Sequence, residues 1–233
     1  FHWLAFIHEL ASGGVLADDM GLGKTLQTIA LLAWARGKDK QKLNLVVAPT
    51  SVVPNWAREV EKFAPSLKTV VWQGSDRQSL RAELEDADVM ITSYALMRRD
   101  EELLAELDFR YVILDEAQHI KNPLSQTARA AKRLKSERRL ALTGTPIENR
   151  LSEIWSIVDF VAPGLPGSLK QFEDKVARPL ERGDAEAAEK LRATIRPFIL
   201  RRIKEDVVQD LPPKIEQEII VPLADGQSTL YKQ

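Results

Sequence analysis

Six short, nearly uninterrupted apolar runs punctuate the first two thirds of this chain, and they constrain its fold more than any other feature. They are Val15-Leu16-Ala17, Leu45-Val46-Val47-Ala48, Thr69-Val70-Val71-Trp72, Val89-Met90-Ile91-Thr92, Tyr111-Val112-Ile113-Leu114 and Arg139-Leu140-Ala141-Leu142. Runs of this kind, apolar at successive positions rather than alternating, are expected of parallel strands covered on both faces. Helical patterns lie between them. In the clearest, Leu26, Ile29, Ala30 and Ala33 recur at i, i+3, i+4, i+7 in a segment beginning at Lys24. Strand-helix alternation predicts an α/β domain with a doubly wound, mainly parallel sheet flanked by helices, spanning residues 1–160. After Pro163-Gly164-Leu165-Pro166-Gly167 the character changes. Residues 161–210 read as a helical appendage with a return to the sheet, Phe198-Ile199-Leu200 being the returning strand. Residues 211–233 carry Pro212-Pro213 and a polar-apolar alternation from Ile215 to Val221, which predicts a further strand.

Composition excludes several classes. The 233 residues suffice for a sizeable core, and 44% hydrophobic with 29% charged residues is ordinary for a globular protein. No apolar run approaches the roughly 18 residues that would span a bilayer. Cysteine is absent, so disulfides and thiolate metal sites are excluded, in keeping with a cytoplasmic or nuclear setting. A net charge of −1 argues against a globally basic nucleic-acid binder, leaving a local surface for any such contact. The chain opens inside a helical pattern without a start signal, as a piece of a longer protein would.

Three strand ends carry chemistry. Asp18-Asp19-Met20-Gly21-Leu22-Gly23-Lys24-Thr25 follows one strand and opens a helix, the setting a phosphate loop requires. Gly21 and Gly23 allow backbone N–H groups to turn toward phosphate oxygens, and the helix N-terminus points its positive end at the same anion. Lys24 can reach the β- and γ-phosphates, and the Thr25 hydroxyl can ligate magnesium. The general pattern wants Gly where Asp18 stands, and a glycine turn capping a buried helix is the plainer alternative. The second strand end is Asp115-Glu116-Ala117-Gln118. A carboxylate at the tip of a buried strand is costly unless it meets a cation, which makes Asp115 the metal-side group and Glu116 the group that polarises an attacking water. Asp115 as a simple helix cap is the alternative. The third, Leu142-Thr143-Gly144-Thr145-Pro146, sets two hydroxyls about a glycine where they could bridge the Glu116 region to a neighbouring surface; alone it is an unremarkable turn, and its meaning comes from its place after the other two.

The string from Gly14 to Thr28, Asp115 to Asn122, Leu142 to Asn149, and Pro197-Phe198-Ile199-Leu200-Arg201-Arg202 with Leu211-Pro212-Pro213-Lys214 together resemble, in order, the motifs of the SWI/SNF-type ATPases of helicase superfamily two. That family carries an acid at the position of Asp18; Asp19 stands where Glu is usual, and Gln118 where many members have His. The resemblance implies the N-terminal RecA-like lobe of a motor that moves on double-stranded DNA and remodels protein-DNA complexes. ATP and Mg2+ would be its ligands, a second RecA-like lobe and DNA-bound proteins its partners. Asp19 to Leu26 would line the nucleotide, Thr25 and Asp115 the metal, with Lys24, Asp115 and Glu116 catalytic. Pro49-Thr50-Ser51 and Thr92-Ser93-Tyr94 match the family's DNA-backbone motifs, and Thr143, Gly144 and Thr145 its coupling motif. Ser and Thr after a strand more commonly cap a helix or turn. The upstream Gln motif that helps recognise adenine and the arginine fingers of the second lobe are missing, so this stretch alone is expected to turn ATP over slowly.

Other features read as structural. Trp56 and Trp155 are expected in the core rather than as base-stacking platforms, and the clusters Lys132, Arg133, Lys135, Arg138, Arg139 and Arg201, Arg202, Lys204 as solvated faces. The rival functions are a strand-separating helicase or restriction-enzyme motor on the same fold, and a non-catalytic binding scaffold.

Overall fold

The structure, a computed structural model, describes residues 1–38, 42–144 and 151–207. Seven strands, β1 (Gly14–Leu16), β2 (Asn44–Ala48), β3 (Thr69–Val71), β4 (Val89–Ser93), β5 (Asp108–Leu114), β6 (Lys135–Leu142) and β7 (Ile199–Leu200), form one sheet in the order β3-β4-β2-β5-β6-β1-β7. Every strand pair is parallel. All seven expected strands in the described residues are present. The apolar runs mark only the later halves of β5 and β6, which begin earlier, at Asp108 and Lys135, on exposed polar residues.

The alternating pleat of the central strands divides the core in two. Val15, Leu45, Val47, Met90, Val112, Leu114 and Ala141 face one side. There they meet Met97 of α4 (Tyr94–Arg99), Ala128 and Ala131 of α6 (Gln126–Arg133), and Phe160 of α7 (Leu151–Val161). Leu16, Val46, Ala48, Ile91, Ile113, Leu140 and Leu142 face the other side. They pack on Leu4 and Ile7 of α1 (His2–Glu9), Ile29 and Leu32 of α2 (Lys24–Lys38), and Trp56 and Val60 of α3 (Val53–Phe63). Each such aliphatic side chain taken from water contributes roughly 1.5–3 kcal/mol, so both layers of helices are strongly held.

The expected apolar stripe of α2 is out of phase. The helix buries Thr28, Ile29, Leu31, Leu32 and Ala35, while Leu26 and Ala30 are exposed. The helix is apolar on more than one side, so the periodic pattern fits two faces, and packing on β1 and α3 selects the other.

A short helix α5 (Glu101–Glu106) leads into β5. The appendage is helical: α8 (Leu169–Phe172), a π-helical turn at Glu173–Ala177, α9 (Arg178–Glu181) and α10 (Ala185–Ile195). It docks on α7 through buried Phe172, and an apolar cavity of about 390 Å³ lies between α7 and α10. The chain then returns as β7 beside β1. Contacts group Phe1–Ile203 as one unit; a separate unit begins at Lys204, of which the helix α11 (Lys204–Val207) is described. The expected strand from Ile215 to Val221 and the segment Leu211 to Lys214 lie outside the described residues.

Candidate nucleotide site

All of the strand ends singled out above lie at the carboxyl edge of one parallel sheet, where open α/β sheets bind their ligands. β1 runs into the glycine loop, and α2 begins at Lys24. Gly21 (φ 86°) and Gly23 (φ 70°) occupy left-handed backbone that only glycine enters without strain. Lys24 Nζ donates to the carbonyls of Asp18 (2.6 Å) and Asp19 (3.1 Å), so the ammonium is folded back over its own loop. Burial holds its pKa below the usual lysine value, even though Glu116, Asp18, Asp115 and Asp19 all favour the charge. Asp19, Leu22 and Thr25 are half-buried, and Met20 and Leu26 are exposed at 57% and 42%.

Two strands across, β5 delivers Asp115, which is buried and held on three sides. Trp56 Nε1 donates to Oδ2 at 2.8 Å, the Glu116 N–H to Oδ1 at 3.0 Å, and the Asp115 N–H itself donates to Val47 O at 2.8 Å. Burial pushes the Asp115 carboxyl above its ordinary pKa, opposed by the Trp56 hydrogen bond. A lysine held below its normal pKa and a carboxylate held above it, on the same sheet edge, suit a site completed by an anion with its own cation. Among the described residues no group of three His, Cys, Asp or Glu is placed to hold a metal ion by itself. The oxygen donors at this edge, the Asp115 carboxylate and the Thr25 hydroxyl, are of the type that suits magnesium.

Glu116 has left-handed backbone (φ 52°, ψ 57°), an uncommon conformation for a non-glycine residue and one that clusters at functional sites. The Tyr94 hydroxyl donates to the Asp115 carbonyl at 2.7 Å and lies 3.5 Å from that of Glu116. Gln118 Nε2 donates to Glu116 Oε2 (2.9 Å), and Thr143 Oγ1 donates to Gln118 Oε1 (3.4 Å). Thr143 is thus linked to Glu116 through Gln118. A methyl group added at Gly144 would lie 2.8 Å from Met20 Cγ and 3.4 Å from Lys24 Nζ, so the end of β6 presses on the glycine loop. Thr145 lies outside the described residues.

The two segments expected at DNA differ in exposure. Thr50 and Ser51, at the end of β2, face solvent, with Pro49 half-buried. Thr92, Ser93 and Tyr94, at the end of the neighbouring β4, are buried, and their hydroxyls are committed inward: Thr92 to Trp72 O, Ser93 as the cap of α4, Tyr94 to Asp115 O. Trp56 is a core residue, as expected, but its indole also grips Asp115, which composition could not foretell.

Sequence reasoning missed Arg202. Expected on a solvated face, it pairs with buried Asp18. The other basic cluster is not the solvated face expected: Lys132, Arg138 and Arg139 are largely covered and bonded within the fold, while Arg133 and Lys135 are exposed. Lys132 pairs with Asp159 (2.7 Å), and Arg139, its charge disfavoured by burial, reaches the carbonyls of Lys132, Leu134 and Phe160.

A glycine loop opening a helix, with buried Asp115 and half-buried Glu116 two strands away on an all-parallel sheet, defines a RecA-like nucleotide-binding lobe. The chain belongs to the SNF2-related domain family, which it matches over residues 1–233. It superposes on the Sulfolobus solfataricus SWI2/SNF2 ATPase core in complex with dsDNA with a TM-score of 0.84 at 46% identity, covering 99% of this chain and 49% of that one. The putative ATP-dependent helicase/translocase YwqA of Bacillus subtilis is 44% identical over 100% of this chain and 26% of its own length. The TATA-binding protein-associated factor MOT1 of Saccharomyces cerevisiae is 40% identical over 99% of this chain and 14% of its own. The chain thus spans half or less of these relatives. Among the described residues no helix is long and apolar enough to cross a membrane.

Proposed function

We propose that this chain is the N-terminal ATP-binding lobe of a DNA-dependent ATPase that translocates on double-stranded DNA and remodels protein-DNA complexes. The observation that carries the reading is the convergence of Lys24, Asp115, Glu116 and Thr143 at one sheet edge, with the ends of β2 and β4 alongside. Lys24 would exchange its two carbonyl partners for phosphate oxygens, and the N–H groups from Gly21 to Thr25 would orient the triphosphate. Thr25 and Asp115 would hold magnesium, which neutralises phosphate charge when bound. Glu116, aimed by Gln118, would orient and polarise the attacking water. At the DNA side, exposed Thr50 and Ser51 offer hydroxyls to the phosphate backbone, whereas Thr92, Ser93 and Tyr94 would act through their backbone and as support for Asp115. A similar core solved with dsDNA and a relative named for a TATA-binding protein support duplex DNA and DNA-bound proteins as partners, in nucleoid or nucleus. A second RecA-like lobe would complete the site.

The test uses the full-length protein. ATP hydrolysis is expected to rise with added duplex DNA of arbitrary sequence, and Lys24→Ala or Glu116→Gln to lower turnover by about 100-fold or more. Hydrolysis indifferent to DNA would refute the motor. A Glu116→Gln protein with full turnover would favour the non-catalytic scaffold.

A further inference from the structure

We propose that Arg202 is a positioning residue for the phosphate loop, clamping the loop's first acid from the strand that returns from the appendage. This rests on the nucleotide-binding reading above. Asp18 is fully buried, and a buried carboxylate must be paired to be tolerated. Its donors come from the chain just past β7. The Arg202 N–H reaches Oδ1 at 3.0 Å, Arg202 Nε reaches the same oxygen at 3.1 Å, and Nη2 bonds Oδ2. Gln27 of α2 completes the cluster, accepting from Arg202 Nη2 at 2.8 Å while its own Nε2 donates to Leu22 O at 2.9 Å and approaches Asp18 Oδ2 at 3.4 Å.

The main chain repeats the connection. Ala17 N–H donates to Leu200 O (2.7 Å) and Asp19 N–H to Arg202 O (3.1 Å), so residues 200–202 zip along the entry to the loop. Arg202 and Gln27 therefore fix the loop at both ends of the segment from Asp18 to Leu22. The Asp18 carbonyl, on the residue whose carboxylate Arg202 grips, is also an acceptor for Lys24 Nζ at 2.6 Å. Displacing Asp18 must move the acceptor that stations the phosphate-binding lysine. An ion pair replaced by apolar residues is often neutral for stability, so its purpose here is geometric: it dictates where the loop amides and Lys24 stand. It also explains why an acid serves where the general phosphate loop has glycine.

The experiment measures binding of a fluorescent ATP analogue with magnesium, together with steady-state ATPase, on the full-length protein and its Arg202→Gln, Arg202→Lys, Asp18→Asn and doubly substituted Asp18→Asn/Arg202→Gln forms. Binding is read below the melting temperature of each. Arg202→Gln is expected to weaken nucleotide binding and raise KM by about tenfold or more, with a smaller loss in kcat. Arg202→Lys, which keeps the charge but not the fork, should recover part of that loss. The double variant should bind better than the product of the single losses predicts, because no charge is left buried alone. Singles that melt earlier yet bind nucleotide as the parent does would overturn the proposal and leave the clamp as fold stability only. A parent protein that fails to bind the analogue would remove the nucleotide reading itself.

Discussion

Two side chains grip Asp115, and each comes from the helix that follows a nearby strand, β2 or β4. Trp56 reaches it from α3, which follows Pro49-Thr50-Ser51, and Tyr94 reaches its carbonyl from the end of β4. Replacing Trp56 by Phe keeps the apolar ring but removes the Nε1 hydrogen bond, which to an ionised acceptor contributes about 1.5–3 kcal/mol. In the full-length protein we expect the magnesium concentration for half-maximal ATPase to rise several-fold in Trp56→Phe; a magnesium titration superimposable on the parent's would show that the bond does not orient Asp115. The acids proposed here as catalytic stand out in the sequence because a charged pair ending an apolar strand is a local pattern. Trp56 and Tyr94 do not, because an indole or phenol at a helical position carries no local sign of the carboxylate or carbonyl it will meet.

Secondary elements were legible where they are buried and obscure where they are not. The apolar cores of β2 and β4 are visible as runs, but the polar start of β6 and the 3-10 segment Arg77–Glu85 have no such signature. That segment is fastened by a tertiary contact. Asp100 accepts from Arg77 Nε (2.6 Å), Arg77 Nη2 (2.8 Å) and Trp72 Nε1 (2.8 Å), with both charged side chains nearly buried. The Arg77 hydrogen bonds hold the Asp100 carboxyl below its ordinary pKa, against the effect of burial. A carboxylate whose folded pKa is depressed contributes stability above its unfolded pKa and loses it as pH falls toward the folded value. Asp100→Asn, leaving Arg77 buried without its counter-charge, is expected to cost about 3 kcal/mol at neutral pH. Urea denaturation as a function of pH should show the gap to the parent narrowing below about pH 4. A gap constant with pH would mean that the ionised form is not what holds the segment.

The molecule as a whole is a sheet whose carboxyl edge gathers segments far apart in the chain. The order of motifs in the sequence pointed to this gathering through the SNF2 resemblance, while the wiring across it stayed hidden. Asp18 and Arg202 stand 184 residues apart, and neither one's surroundings name the other. The same distance explains why Arg202 reads as a surface charge: in sequence it stands in a basic group with Arg201 and Lys204, and the return of β7 to β1 brings it to buried Asp18. We propose this assembly as half of a motor that follows intact duplex. It is tested most directly by asking whether the full-length protein, with ATP, displaces a short third strand bound in the major groove of a duplex. The account predicts ATP-dependent displacement that slows as the track before the third strand lengthens, is lost in Lys24→Ala, and leaves the duplex paired. Separation of the duplex strands themselves, or no displacement despite DNA-stimulated hydrolysis, would contradict it.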